Sequence, residues 1–212
     1  MARATNREIE IKLRVRDLAT LLRALRRIGA ASKGRVFEHN TIYDTPESAF
    51  RRAGRLLRLR FETPVPRSAR ATGTHLVRPK LRPRGAILTA KAPPHQGGRR
   101  SGSARYKERL ERELALHNPT QFERAIISVG LRPRFIYEKF RSTFDLPELH
   151  LDLDETPVGT FLELEGSPRA IDRAARALEF TPRDYFRGTY WDVYAADCHR
   201  RGRPLRNMVF PS

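Results

Sequence analysis

The chain has 212 residues, 39% of them hydrophobic and 31% charged, and a formal net charge of +18 from 42 Lys plus Arg against 24 Asp plus Glu. That length supports one generous domain or two small ones, and the low apolar share requires many elements to carry a charged face. One cysteine, Cys198, excludes an intramolecular disulfide and a cysteine-built zinc site, and the lack of a ~18-residue apolar run or a secretion signal predicts a soluble cytoplasmic protein with no membrane partner.

The first periodic segment, 7–15 ("REIEIKLRV"), alternates Glu8, Glu10, Lys12 and Arg14 with Ile9, Ile11, Leu13 and Val15, which predicts a strand. Asp17 then caps a helix whose stripe of Leu18, Leu21, Leu22, Leu25 and Ile28 is stopped by Gly29. Strands are expected near 36–44 and 55–62, the second with Arg58 and Arg60 on one face. Residues 63–85 carry four prolines and many bases without a period. A strand at 86–92 sets Thr89 and Lys91 together, and the Pro/Gly/Ser-rich stretch 93–104 follows. The strand at 105–116 aligns Lys107, Arg109, Glu111 and Glu113. A helix with Pro119 near its start ends at Gly130. Strands at 134–145, 148–155 and 159–166 pair Lys139 with Arg141, Asp152 with Asp154, and Glu163 with Glu165. Ser167 and Pro168 open another helix, and an aromatic-rich helix is expected over 182–200.

Eight strands, an even number, suit an antiparallel sheet that closes into a barrel. No repeat of fixed period and no interior break divides the chain, so a single α+β domain over 1–212 is expected, its four helices packed outside an eight-stranded barrel. The apolar faces of the strands then meet the helices, and the charged faces turn inward. A solvated outer face is the competing reading for any one strand. Acids and bases, however, segregate by strand, and the opposite faces are uniformly apolar. Two carboxylates roughly 7 Å apart on a strand repel by about 2 kcal/mol at an effective dielectric near 20. Such pairs need counter-charge, which Lys, Arg and a divalent cation supply. Oxygen-only acidic pairs suit Mg²⁺ or Mn²⁺, and forked guanidiniums suit a phosphate chain. The pattern describes a tunnel for a metal-bound polyphosphate. Its six histidines have no metal spacing, and Trp191 with its neighbours reads as core against the barrel.

"EIEIK" resembles the ExExK signature of the CYTH superfamily, the triphosphate tunnel metalloenzymes. "LRLR", "LTAK", "RLERE", "EKFR" and "LDETPVGTFLELEG" are similar to later segments of that family, in the same order; Val158 and Thr189 depart from it. The resemblance implies that Glu8, Glu10, Asp154, Glu163 and Glu165 hold divalent metal. It implies that Lys12, Arg58, Arg60, Lys91 and Arg141 grip the phosphates, with Arg109 and Lys139 as helpers. Glu111, Glu113 and Asp152 share the tunnel-facing parity, either as ligands or as counter-ions. Metal-dependent hydrolysis of a triphosphate is the leading expectation. Cyclisation of ATP to cyclic AMP and non-catalytic binding of polyphosphate or nucleic acid are the alternatives, and a monomer or homodimer fits either. The tunnel's named bases (Lys12, Arg58, Arg60, Lys91, Arg109, Lys139, Arg141) nearly balance its acids, so the excess charge belongs outside. The basic stretches 63–85 and 93–104, Arg78, Lys80, Arg82 and Arg84 among them, are expected either at a tunnel mouth, steering anions inward, or as a solvated basic surface with incidental nucleic-acid affinity.

Overall fold

Alternation decides the sides of every strand. In β1 (Asn6–Val15) Glu8, Glu10 and Lys12 face one way and the buried Ile11, Leu13 and Val15 the other. The same rule runs through β2 (Ala31–Asp44), β3 (Leu56–Pro64), β4 (Ala86–Ala92), β5 (Lys107–Leu116), β6 (Arg132–Leu146), β7 (Leu149–Thr156) and β8 (Gly159–Gly166). In the computed structural model, which describes residues 6–65, 76, 78–80, 85–94 and 105–211, these strands close in the order β1-β5-β4-β3-β2-β6-β7-β8, every pair antiparallel. The expected closed barrel is the observed one.

The outer wall is apolar where helices cover it. Leu13, Leu151, Leu153, Leu162 and Leu164 are all but fully buried beneath α1 (Leu18–Arg27) and α4 (Pro168–Ala177). Burying a leucine is worth roughly 1.5–3 kcal/mol, so this wall is a major source of stability. Asp17 accepts the Thr20 amide at 3.1 Å and Ser167 the Ala170 amide at 3.2 Å, which fixes where both helices begin. A third helix, α3 (Pro119–Ser128), sets Phe122 and Ile126 against Leu57, Leu59 and Phe61 of β3.

The sequence reading departs from the structure in four places. Strand β2 starts five residues before the expected position, because its first residues (Ala31 to Arg35), exposed as far as Lys33, carry no apolar alternation, and a bulge at Gly34 (φ 139°) interrupts its register with β6. The short α2 (Ala49–Arg52) was not foreseen; Asp44 makes it by accepting the amides of Thr45, Phe50 and Arg51 at 2.7, 2.8 and 2.9 Å. The helix expected over 182–200 is a 3-10 turn (Pro182–Asp184), an extended stretch, and then α5 (Tyr190–Arg200). The cause is an unpaired barrel edge. β5 leaves β1 after the Glu10–Lys107 pair, and Phe186 takes up the exposed Lys12 backbone with bonds of 3.0 and 2.9 Å. Finally, Arg78 lies on the outer wall, 2.8 Å from the buried outward-facing Glu138, and not at a tunnel mouth. Arg82, Arg84 and most of the two basic stretches lie outside the described residues.

Candidate active site

The inward faces enclose a cavity of about 1320 Å³. Of the residues singled out in the sequence, Glu8, Glu10, Lys12, Arg58, Arg60, Lys91, Arg109, Glu111, Glu113, Lys139, Arg141, Asp152, Glu163 and Glu165 all line it. Asp154 does not. It lies on the same inward face of β7 as Asp152 but fully buried beneath its partners, accepting from Lys139 at 2.8 Å, from Arg141 Nε at 2.7 Å and from the Tyr190 hydroxyl at 2.6 Å.

Cross-strand register pairs acid with base. Lys12 of β1 stands opposite Glu163 of β8 and is ion-paired with it. Lys91 of β4 reaches Glu8 at 2.7 Å and its register partner Glu111 at 3.0 Å. Lys107 pairs with Glu10. Arg141 gathers Asp152 at 2.6 Å and Asp154 and Glu163 at 2.5 Å each. Arg60 lies 3.4 Å from Glu38, 3.2 Å from Glu62 and 3.6 Å from Glu113. Arg58 differs from the others. Its donors go to neutral oxygens, the Tyr137 hydroxyl at 3.2 Å and the Thr89 hydroxyl at 3.0 Å, and Glu113 is 3.7 Å away.

Four participants escaped the sequence reading, one of them Glu62, 3.2 Å from Arg60. Glu38, fully buried, lies 3.4 Å from Lys139, 3.4 Å from Arg60 and 3.6 Å from Arg141. It shares its face of β2 with Val36, Asn40 and Ile42, so no second charge marks that face as inward. Lys107, on the lumen-facing side of β5, holds Glu10 as its counter-ion. Tyr190, read as core, enters the barrel at the start of α5, its ring 4.2 Å from the Lys12 ammonium and 5.0 Å from that of Lys139. Around it Phe135, Tyr137, Phe161 and Tyr194 pack α5 against the barrel.

The charge environment is uneven. Burial pushes the Glu8 carboxyl up to about 8, with Glu10 and Glu111 adding to the effect and Lys91 opposing it. Burial, Glu111 and Glu10 also raise Glu165. Burial acts the same way on Glu10 and Glu163, but there the bases win: Lys107, Lys12 and Lys91 bring Glu10 down to about 2, and Lys12, Arg141 and Lys139 hold Glu163 well below the usual carboxylate range. Counter-charge is therefore short around Glu8 and Glu165. Among the described residues no three carboxylate, imidazole or thiol groups already converge as a metal cage. The oxygen-only donors and their deficit of positive charge nevertheless fit a hard divalent cation.

A closed antiparallel barrel with acids and bases interleaved along its interior defines a class, the tunnel proteins that hold a highly charged ligand inside a sheet. The chain belongs to the CYTH domain family, whose model matches residues 6–181. Members of that family bind triphosphate substrates, as triphosphatases or adenylate cyclases. No curated protein matches the chain. Solved structures with the same fold include a candidate adenylate cyclase from Vibrio parahaemolyticus (18% identity, covering 91% of this chain and 99% of that one, TM-score 0.66). A Pyrococcus horikoshii protein is similar at 17% identity, 90% and 99% coverage and a TM-score of 0.67. A candidate adenylyl cyclase from Hippeastrum, described as having a dominant triphosphatase activity, is similar at 17% identity, 93% and 97% coverage and a TM-score of 0.55.

Proposed function

We propose that this protein is a metal-dependent triphosphatase acting inside its barrel. One observation carries the reading: Lys12, Arg58, Arg60, Lys91, Lys139 and Arg141 converge from four strands on a single cavity, with a carboxylate within reach of each. Such bases are held ready without a ligand, and a phosphate chain can replace the carboxylates as their partner at little reorganisation cost. Arg58, bound to hydroxyls, is the base most easily turned toward phosphate. Arg109 extends the grip toward the end of the tunnel at which α2 lies.

Glu8, Glu10, Glu163 and Glu165 are the wall carboxylates that would hold Mg²⁺ or Mn²⁺. Bound there, the cation supplies charge neutralisation at phosphate oxygens and a water acidified toward attack. Asp154, buried beneath the cavity surface, orients Lys139, Arg141 and Tyr190. Glu111, Glu113 and Asp152 hold Lys91, Arg60 and Arg141 as counter-ions. The α5 aromatics wall one side of the lumen with apolar surface, which strengthens the charge interactions beside them. Cyclisation of ATP instead requires a lodging for the nucleoside, and no described aromatic face is open for one.

The test is a substrate panel of tripolyphosphate, ATP and thiamine triphosphate with Mg²⁺ or Mn²⁺, read for both phosphate and cyclic AMP. Phosphate release that EDTA abolishes is expected. Cyclic AMP as the main product from ATP, or no turnover of any triphosphate, contradicts the proposal.

A further inference from the structure

Every deep lumen base has an acid or hydroxyl partner, but the mouth beside α2 is different. Arg51, Arg55, Arg109 and Arg134 line it, and among the described residues none is ion-paired with a carboxylate. The two acids on this rim are occupied by backbone. Asp44 accepts three amides at the start of α2, and Asp192 caps α5 through the Thr189 amide at 2.7 Å. Glu8, opposite Arg109 in register, is held through both oxygens by Lys91 at 2.9 and 2.7 Å.

Contacts run around this rim in a chain. Arg134 adjoins Phe135, whose ring meets Trp191 edge-on at 4.9 Å. Arg51 covers the Trp191 face at 4.5 Å. Arg109 donates to the Gly54 carbonyl at 3.1 Å, next to Arg55. The aromatic rings here are already covered: Trp191 by Arg51 and Phe135, while Phe135 is 4% exposed and Tyr43 1% exposed. An arriving ligand therefore meets guanidiniums and no open ring on which a base could stack.

We infer that this mouth binds the extension of an inorganic polyphosphate chain longer than three units, making a longer chain the better ligand. Arg51, Arg55, Arg109 and Arg134 take the phosphates beyond the three held in the lumen. The inference rests on the triphosphatase reading for the lumen but has its own observable.

Calorimetric titration of the metal-free protein in EDTA compares tripolyphosphate, a longer linear polyphosphate, ATP and a single-stranded oligonucleotide. The variant is Arg55→Ser/Arg134→Ser, two exposed positions, with its melting temperature checked against the parent. The longer chain should bind the parent about 10-fold more tightly than tripolyphosphate, since two partly solvated ion contacts are worth about that much, and the double variant should erase most of the difference. Tripolyphosphate affinity should stay unchanged. Equal affinities for the two chains in the parent, equal weakening of both in the variant, or an equal gain by ATP or the oligonucleotide overturns the inference. Phosphate release from tripolyphosphate is measured in parallel. Its absence counts against hydrolysis alone, because chain-length preference is read from binding.

Discussion

Glu163 and Glu165 are two apart on β8, face the same cavity, and behave oppositely. Lys12 and Arg141 hold Glu163, whereas Glu165 has burial and acidic neighbours against it. From the sequence both look like crowded carboxylates whose neutralisation relieves repulsion. The structure restricts that to Glu165. In the metal-free protein Glu165→Gln should hold or raise the melting temperature, while Glu163→Gln leaves Lys12 and Arg141 short of a partner and should cost about 3 kcal/mol. Denaturant unfolding of both variants in EDTA checks this, and equal stabilities contradict it. Glu38 extends the argument to a residue the sequence concealed. Glu38→Gln leaves Lys139, Arg60 and Arg141 with excess positive charge, so stability should fall. Tripolyphosphate should then raise the melting temperature of the variant more than that of the parent, because the ligand replaces the missing charge. Lone charges are hard to read. Glu38 has no charged i±2 neighbour, and Tyr190 reads as one more apolar ring until the extended stretch before α5 places it inside the barrel.

Strands were legible because each presents two faces of opposite character, and that contrast survives without knowing the partner strands. The pieces that escaped are those whose conformation answers to something distant. Residues 185–188 are extended because β5 leaves the edge of β1 open at Lys12, which no local pattern announces. The short α2 exists because one carboxylate, Asp44, collects three amides. Asp44→Ala should leave those amides unpaired, fray α2 at a cost of about 1–3 kcal/mol, and release Arg51 from Trp191. Trp191 is the one tryptophan of the chain, so its emission reports this contact directly. A red shift in the variant is expected; an unchanged spectrum shows that α2 is held by other contacts.

The whole molecule carries +18, yet its tunnel is close to neutral, and Glu38 and Glu62 together with Lys107 shift that balance further toward acid. The excess thus lies outside and at the arginine-lined mouth, while the interior responds to pH on its own terms. Glu8, raised to about 8, and Glu165, also raised, each carry more proton in the folded chain than in the unfolded one, so they lower stability as pH climbs past the ordinary carboxylate value toward 8. His150 is raised to about 9, first by its hydrogen bond to Asp152, with burial opposing; its contribution is complete below the ordinary imidazole value and lost as pH rises through 9. Lys and Arg stay charged throughout this window. The metal-free melting temperature should therefore fall between pH 5 and pH 9, and Mg²⁺ or Mn²⁺ should restore more of it at the alkaline end; a flat profile, or equal metal effects at both ends, contradicts this. The central claim is that the buried bases grip a phosphate chain that is being cleaved. Its most direct test is kcat/KM for tripolyphosphate with Mg²⁺ or Mn²⁺ in Arg58→Ala and Arg60→Ala. Each loses a charge-assisted contact worth about 1.5–3 kcal/mol, so a fall of roughly 10- to 150-fold is predicted, with Lys restoring part of it. Parental kinetics in both variants would place the chemistry outside the tunnel.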